Sequence, residues 1–169
     1  MPRIEATRRV PVSIEVAFAV SQTTGETRLR WDNFVHEQRL LGGALTPAKG
    51  VRTETRSKHR LRMVSEYQSF NPPRQVGMKM VEGPWFFASF GGGWSFVSVD
   101  TTEAVDTTDA TDTTDATDAT WRYTFAIRPK WLAPIANPIG RWLLQRDIER
   151  RLDGFVDGCL DPVVIANVT

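Results

Sequence analysis

From Ile139 to Cys159 apolar residues recur at the spacing of one helical stripe, as Ile139, Leu143, Leu144, Ile148, Leu152, Phe155 and Cys159. The spacing predicts a long C-terminal helix. Asn137 can cap it, Pro138 suits its first turn, and Asp161-Pro162 ends it. The opposite face carries Arg141, Arg146, Glu149, Arg150 and Asp153 and belongs in water. Such a stripe needs a broad apolar surface to lie on. The rest of the chain offers one, because from Phe34 to Ile127 the apolar period is two, the period of strands.

Turn clusters at Gly42-Gly43, Pro47 to Gly50, Asn71-Pro72-Pro73 and Gly83-Pro84 divide that stretch into about six strands. An earlier strand, Arg3 to Val10, makes about seven. Two short helices follow it: one N-capped by Ser13 and running through Val20, the other over Glu26 to Asn33.

Alternation assigns the faces of the strands. In Val51 to His59 the charged series Arg52, Glu54, Arg56 and Lys58 belongs in water, which turns Thr53, Thr55, Ser57 and His59 inward. The same parity turns inward Leu61, Met63 and Tyr67, then Val76, Met78 and Met80. Phe86, Phe90, Trp94 and Phe96 follow, and last Trp121, Tyr123, Phe125 and Ile127. Aromatic and methionine side chains thus crowd one face. Gly91-Gly92-Gly93 interrupts the longest strand and reads as the bend that curls the sheet, with a one-residue slip of faces beyond Gly93 as its hazard.

Between Asp100 and Thr120 the chain is almost wholly Thr, Asp and Ala, a composition that cannot bury enough apolar surface to order itself. It reads as a flexible hairpin insertion. Its aspartates lack the glycines and spacing of a calcium loop, so no metal is implied there.

Several classes are excluded or disfavoured. A formal charge of +1 over 169 residues sets up no field for nucleic acid or anionic lipid. Cys159 stands alone, so no internal disulfide forms, zinc spacings are absent, and a reducing cytoplasm is the expected setting. Met1 to Val10 has no apolar signal core, and no run approaches the roughly 20 apolar residues of a membrane span. The length suits one domain over 1–169, with 100–120 as the insertion and 162–169 as a tail.

Strand, two short helices, strand meander and long C-terminal helix form a specific order of elements. With the segments VPVSIEVAFAV, GVRTETRSK, EYQSFNPPRQVGMKM and WRYTFAIRPKWLAPIANPIGRWLLQRDIERRLDGF, it resembles the START-like (SRPBCC) superfamily, in particular its polyketide cyclase/dehydrase-like branch. The resemblance implies an α+β helix-grip fold: a curved antiparallel sheet around the long helix, with a deep cavity between them for lipids, polyketides or other apolar compounds. It implies no cofactor.

Candidate ligand contacts are the inward Met63, Tyr67, Met78, Met80, Phe86, Phe90, Trp94, Phe96 and Phe125, with Leu143 on the helix and Trp31 and Trp142 closing the mouth. The same side chains would serve equally as core. For acid–base chemistry the candidates are His36, His59 and Tyr123. Three functions compete: carrier of a small hydrophobic molecule, cyclase or dehydratase, and protein-interaction module. A homodimer is compatible with each.

Overall fold

The computed structural model describes residues 2–99, 115–128, 131 and 133–169. Seven strands, β1 (Arg3–Val10), β2 (Val35–Leu40), β3 (Arg52–Ser57), β4 (Arg62–Asn71), β5 (Gln75–Glu82), β6 (Phe87–Val99) and β7 (Ala116–Ile127), form one sheet. Its order is β1-β7-β6-β5-β4-β3-β2 and every pairing is antiparallel. The sheet is curled, and the long helix α3 (Ala133–Leu160) lies against β1 and β7 in its hollow. This is the expected α+β helix-grip architecture.

The two short helices stand between β1 and β2. Helix α1 (Ile14–Ser21) starts where expected, its Val16 N–H donating to Ser13 Oγ at 3.4 Å. Helix α2 (Gly25–Trp31) places Glu26 in its first turn and Arg28 and Arg30 in its last, as the helix dipole favours. Arg28 and Trp31, one turn apart, share its buried face.

Helix α3 begins five residues earlier than the sequence reading has it, at Ala133 and not Pro138. Pro134, not Pro138, occupies the first turn, where a missing N–H costs nothing, and Pro138 lies inside the helix. Asn137 is therefore no cap, and its Oδ1 is buried without a hydrogen bond among the described residues. The stripe also divides. Ile148, Leu152, Phe155 and Cys159 are buried in the core, whereas Ile139 and Leu143 are more than half exposed at the other end. Beyond Leu160 the expected tail forms a fourth helix, α4 (Pro162–Ala166), capped by Asp161 and anchored by buried Val164.

Most strand faces fall as alternation predicts, including beyond the glycines. From Phe90 to Val99, β6 pairs with β7 without a register shift, and the irregularity lies at Phe87/Ser89 instead. The triplet serves close approach. A Cβ at Gly92 would stand 2.7 Å from Arg122 O and from the Tyr123 ring, and one at Gly93 would run into Val76 O. Glu54 departs from its solvent assignment: it lies beneath Arg39, Arg56 and Arg62, with Arg62 at 2.9 Å and Arg56 at 3.1 Å. Of the segment 100–120, residues 116–120 belong to β7, and 100–114 lie outside the described residues.

Gly154 brings α3 onto α2, since a Cβ there would meet the Trp31 carbonyl oxygen. Gly154→Ala should lower stability although alanine is the better helix former. The propensity gain is about 1 kcal/mol, and forcing two packed backbones apart costs about 1–3 kcal/mol. A rise in urea midpoint would show that the helices part freely.

Candidate functional site

Sheet and helix do not close on each other completely. Between them lies a cavity of about 710 Å³, within the usual size range for small-molecule sites. Its walls differ in chemistry. Strands β6 and β7 contribute Phe87, Phe90, Trp94, Trp121 and Phe125, and the β5–β6 turn adds Trp85 and Phe86. These rings interlock, with Phe90 and Tyr123 5.1 Å apart and Trp94 stacked on Trp121 at 4.1 Å. The wall formed by β2, β3 and β4 carries Gln38, Thr53, Thr55, Ser57 and Ser65. Gln38 donates from Nε2 to Thr55 Oγ1 at 3.2 Å, and its Oε1 is buried with no partner among the described residues.

The inner end of the cavity is ionic. Asp32, fully buried just past α2, accepts from Arg151 Nε at 3.1 Å and Nη2 at 2.7 Å, and from Arg28 Nε at 2.9 Å. Arg28 also donates to Ser21 O at 2.8 Å, and Arg151 Nη1 donates to Tyr123 Oη at 2.6 Å. Both guanidiniums lie on indoles, Arg28 4.0 Å from the Trp31 ring and Arg151 4.2 Å from the Trp121 ring. Burial alone would raise the Asp32 carboxyl pKa, but the charges and hydrogen bonds of Arg151 and Arg28 outweigh it and hold it at about 2. Burial likewise pushes up Tyr123, which stays neutral, and raises Asp147, whose carboxylate is 3.9 Å from Arg151.

The depressed Asp32 pKa has a consequence for acid stability. The ionised form is favoured in the folded state, so its contribution is present above the unfolded value of 3.8 and lost as pH falls towards about 2. The loss should be about 2 kcal/mol, from a shift of nearly two pKa units. Denaturant titrations at pH 5 and pH 2.5 on the wild type and Asp32→Asn would check it. An equal acid loss in both proteins would assign it to other groups.

The cavity gathers most of the residues named from sequence. Met63, Tyr67, Met78, Phe86, Phe90, Trp94, Phe125 and Leu143 line it, as do His59 and Tyr123. Five do not, and each has a local reason. His36 is exposed at the β2 bulge between Val35 and Glu37. Trp31 is not at the mouth: it is buried, donating from Nε1 to Thr23 Oγ1 at 3.0 Å and packed edge-on to Phe155. Phe96 stacks behind Trp94 as core. Met80 lies against Gly83, past a β4–β5 register shift. Trp142 is exposed, with Arg146 over its ring.

Sequence reasoning missed Arg28, Asp32, Asp147 and Arg151. Two signals were available: Arg28 and Asp32 stand four apart, and Arg151 falls on the apolar arc between Ile148 and Phe155. Among the described residues no three His, Cys, Asp or Glu side chains gather as metal ligands. No helix among them is long and apolar enough to cross a membrane.

Comparison with known proteins places this geometry. Solved structures share the fold at low identity: TTHA0849 from Thermus thermophilus has TM-score 0.69 at 15% identity, covering 94% of this chain and 97% of that one. XoxI from Bacillus cereus has TM-score 0.68 at 11% identity, with coverages of 95% and 97%. A START superfamily protein from Mycobacterium smegmatis has TM-score 0.67 at 12% identity, with coverages of 92% and 97%. No curated protein matches. The family model described as polyketide cyclase/dehydrase and lipid transport matches residues 1–158, nearly the whole chain, and the protein belongs to that family.

Proposed function

We propose that the protein binds one small hydrophobic molecule, a lipid, polyketide or aromatic compound, in the cavity between the sheet and α3. The observation that carries this reading is the cavity itself: about 710 Å³ walled by aromatic rings, several of which also pack from behind on the core of Trp31, Ile148, Leu152 and Phe155. Side chains needed only for packing would close on one another, since interiors leave few voids larger than a water molecule. The near-balance of charge argues against a polyanion partner. The lone Cys159, buried with its thiol pushed up to about 12, is compatible with a cytoplasmic setting.

Native mass spectrometry of protein from its own host, followed by denaturing extraction, tests the reading. A co-purifying apolar compound in one-to-one ratio is expected. A clean apo mass, together with no binding of added aromatic or acyl probes, would sink it.

A second reading, an acid–base cyclase or dehydratase, has one observation in its favour. His59 and Tyr123 both line the cavity, so a bound carbonyl compound would meet a base and a hydroxyl donor. His36 drops out, being off the cavity wall. Loss of turnover in His59→Ala and Tyr123→Phe with intact folds would favour it, and undiminished turnover in both would remove these assignments.

A further inference from the structure

We propose that the inner end of the cavity is a subsite for an anionic group, and that the ligand is an amphiphile with one acidic head held by Arg28, Arg151 and Tyr123. The proposal rests on the ligand-binding reading above and names the chemistry of that ligand.

The first argument is charge. Two buried guanidiniums line the cavity, and both lean on the single carboxylate of Asp32, which lies behind them off the cavity wall. Among the described residues only one hydrogen-bonded carboxylate serves two guanidiniums, and the second charge is faced by Asp147 alone, 3.9 Å from Arg151 without a hydrogen bond, in a place where poorly paired charge is costly. Arg28 registers this: burial, followed by the like charge of Arg151, lowers its pKa against the pull of Asp32. A ligand anion would supply the missing partner.

The second argument is hydrogen-bond capacity. A guanidinium has five N–H donors, and the bonds to Asp32, Ser21 and Tyr123 leave donors unspent on each arginine. Tyr123 accepts from Arg151, so its own O–H proton remains available, with no acceptor among the described residues. Spare guanidinium donors and a phenol around one cavity end suit a carboxylate, sulfonate or enolate oxygen. The aromatic wall of Phe86, Phe90 and Trp94 then receives the apolar body.

Asp147 provides the third. It is the one acidic side chain among the described residues of the cavity wall, and it stands 3.9 Å from Arg151 without a hydrogen bond to it. Without a ligand it is the loose counter-ion of the second guanidinium. An arriving anion would compete with it, and the carboxyl, already raised by burial, would take up a proton. The other charged or titratable groups around it are Arg150 and Arg151 on α3, Asp32 after α2, Tyr123 on β7 and His59 from the β3–β4 turn. Binding of an anion should therefore be linked to proton uptake, and binding of a neutral analogue should not.

Two fluorescent probes separate these outcomes: 8-anilinonaphthalene-1-sulfonate, whose sulfonate stays ionised, and the uncharged N-phenyl-1-naphthylamine. Between pH 7.5 and pH 5 the sulfonate should tighten about threefold or more, while the neutral probe stays flat. Asp147→Asn should bind the sulfonate at least as tightly as the wild type does at pH 5 and abolish the slope. Binding of the neutral probe to this variant should stay independent of pH. The slope should survive His59→Gln, a control for the only imidazole on the cavity wall among the described residues. Equal responses of the two probes to pH and to Asp147→Asn, or loss of the slope in His59→Gln, would overturn the anionic subsite and leave hydrophobic binding standing. Failure of both probes to bind would overturn the subsite and the ligand-binding reading together.

Discussion

Asp32→Asn is expected to destabilise the protein by about 3–5 kcal/mol, the usual cost of removing one partner from a buried ion pair. The substitution keeps the volume and one acceptor, so no cavity term enters. It takes away the only carboxylate, among the described residues, within hydrogen-bond distance of both Arg28 and Arg151. Each guanidinium keeps its indole, worth about 1–2 kcal/mol as a desolvated cation–π contact, which does not offset a buried uncompensated charge. Chemical denaturation with an unchanged slope and a lower midpoint would register the loss. A change under 1 kcal/mol would mean that water or Asp147 already shares the charge. The same variant should also loosen the Arg151–Tyr123 hydrogen bond, because Asp32 holds that guanidinium in plane.

Phe155→Ala should cost a similar amount for a different reason. Its ring is fully buried where α3 meets the sheet, with the rings of Trp94, Trp31 and Phe96 at 4.8, 5.5 and 6.3 Å. Deleting a buried phenyl loses its transfer energy and leaves a hole that three large rings cannot easily fill, at about 3–5 kcal/mol. Trp94 lines the ligand cavity on its other side, so ligand affinity should fall as well. Thermal or urea unfolding reads the first effect, and titration with the neutral naphthylamine reads the second. A loss below about 1.5 kcal/mol would show that Trp94 and Trp31 collapse into the gap.

The two variants mark the difference between the parts of the molecule. Phe155 was legible in the sequence as a member of the helical stripe, and so were Trp94, Tyr123 and Phe125 as members of one strand face, because apolar periodicity reports which side of an element is dry. The start of α3 was misplaced because Pro134 and Pro138 both fit a first helical turn, and only the helix as formed shows which one occupies it. Met80 and His36 were lost to bulges in β4–β5 and β2–β3, which strict alternation does not foresee.

By itself, then, the sequence determined the order of elements and most of the aromatic wall, which follow from local periodicity and capping, and the helix-grip class through its resemblance to the START-like superfamily. Only the tertiary structure decided the cavity's inner end. Arg28 and Asp32 come from α2 and its exit, Arg151 and Asp147 from α3, and Tyr123 from β7, with the paired Asp32 and Arg151 119 residues apart. Charged residues read as solvent-facing in any pattern of hydrophobicity. What turns these inward is the packing of α2 and α3 over the sheet, where Asp32 and two indoles make burial of two guanidiniums tolerable.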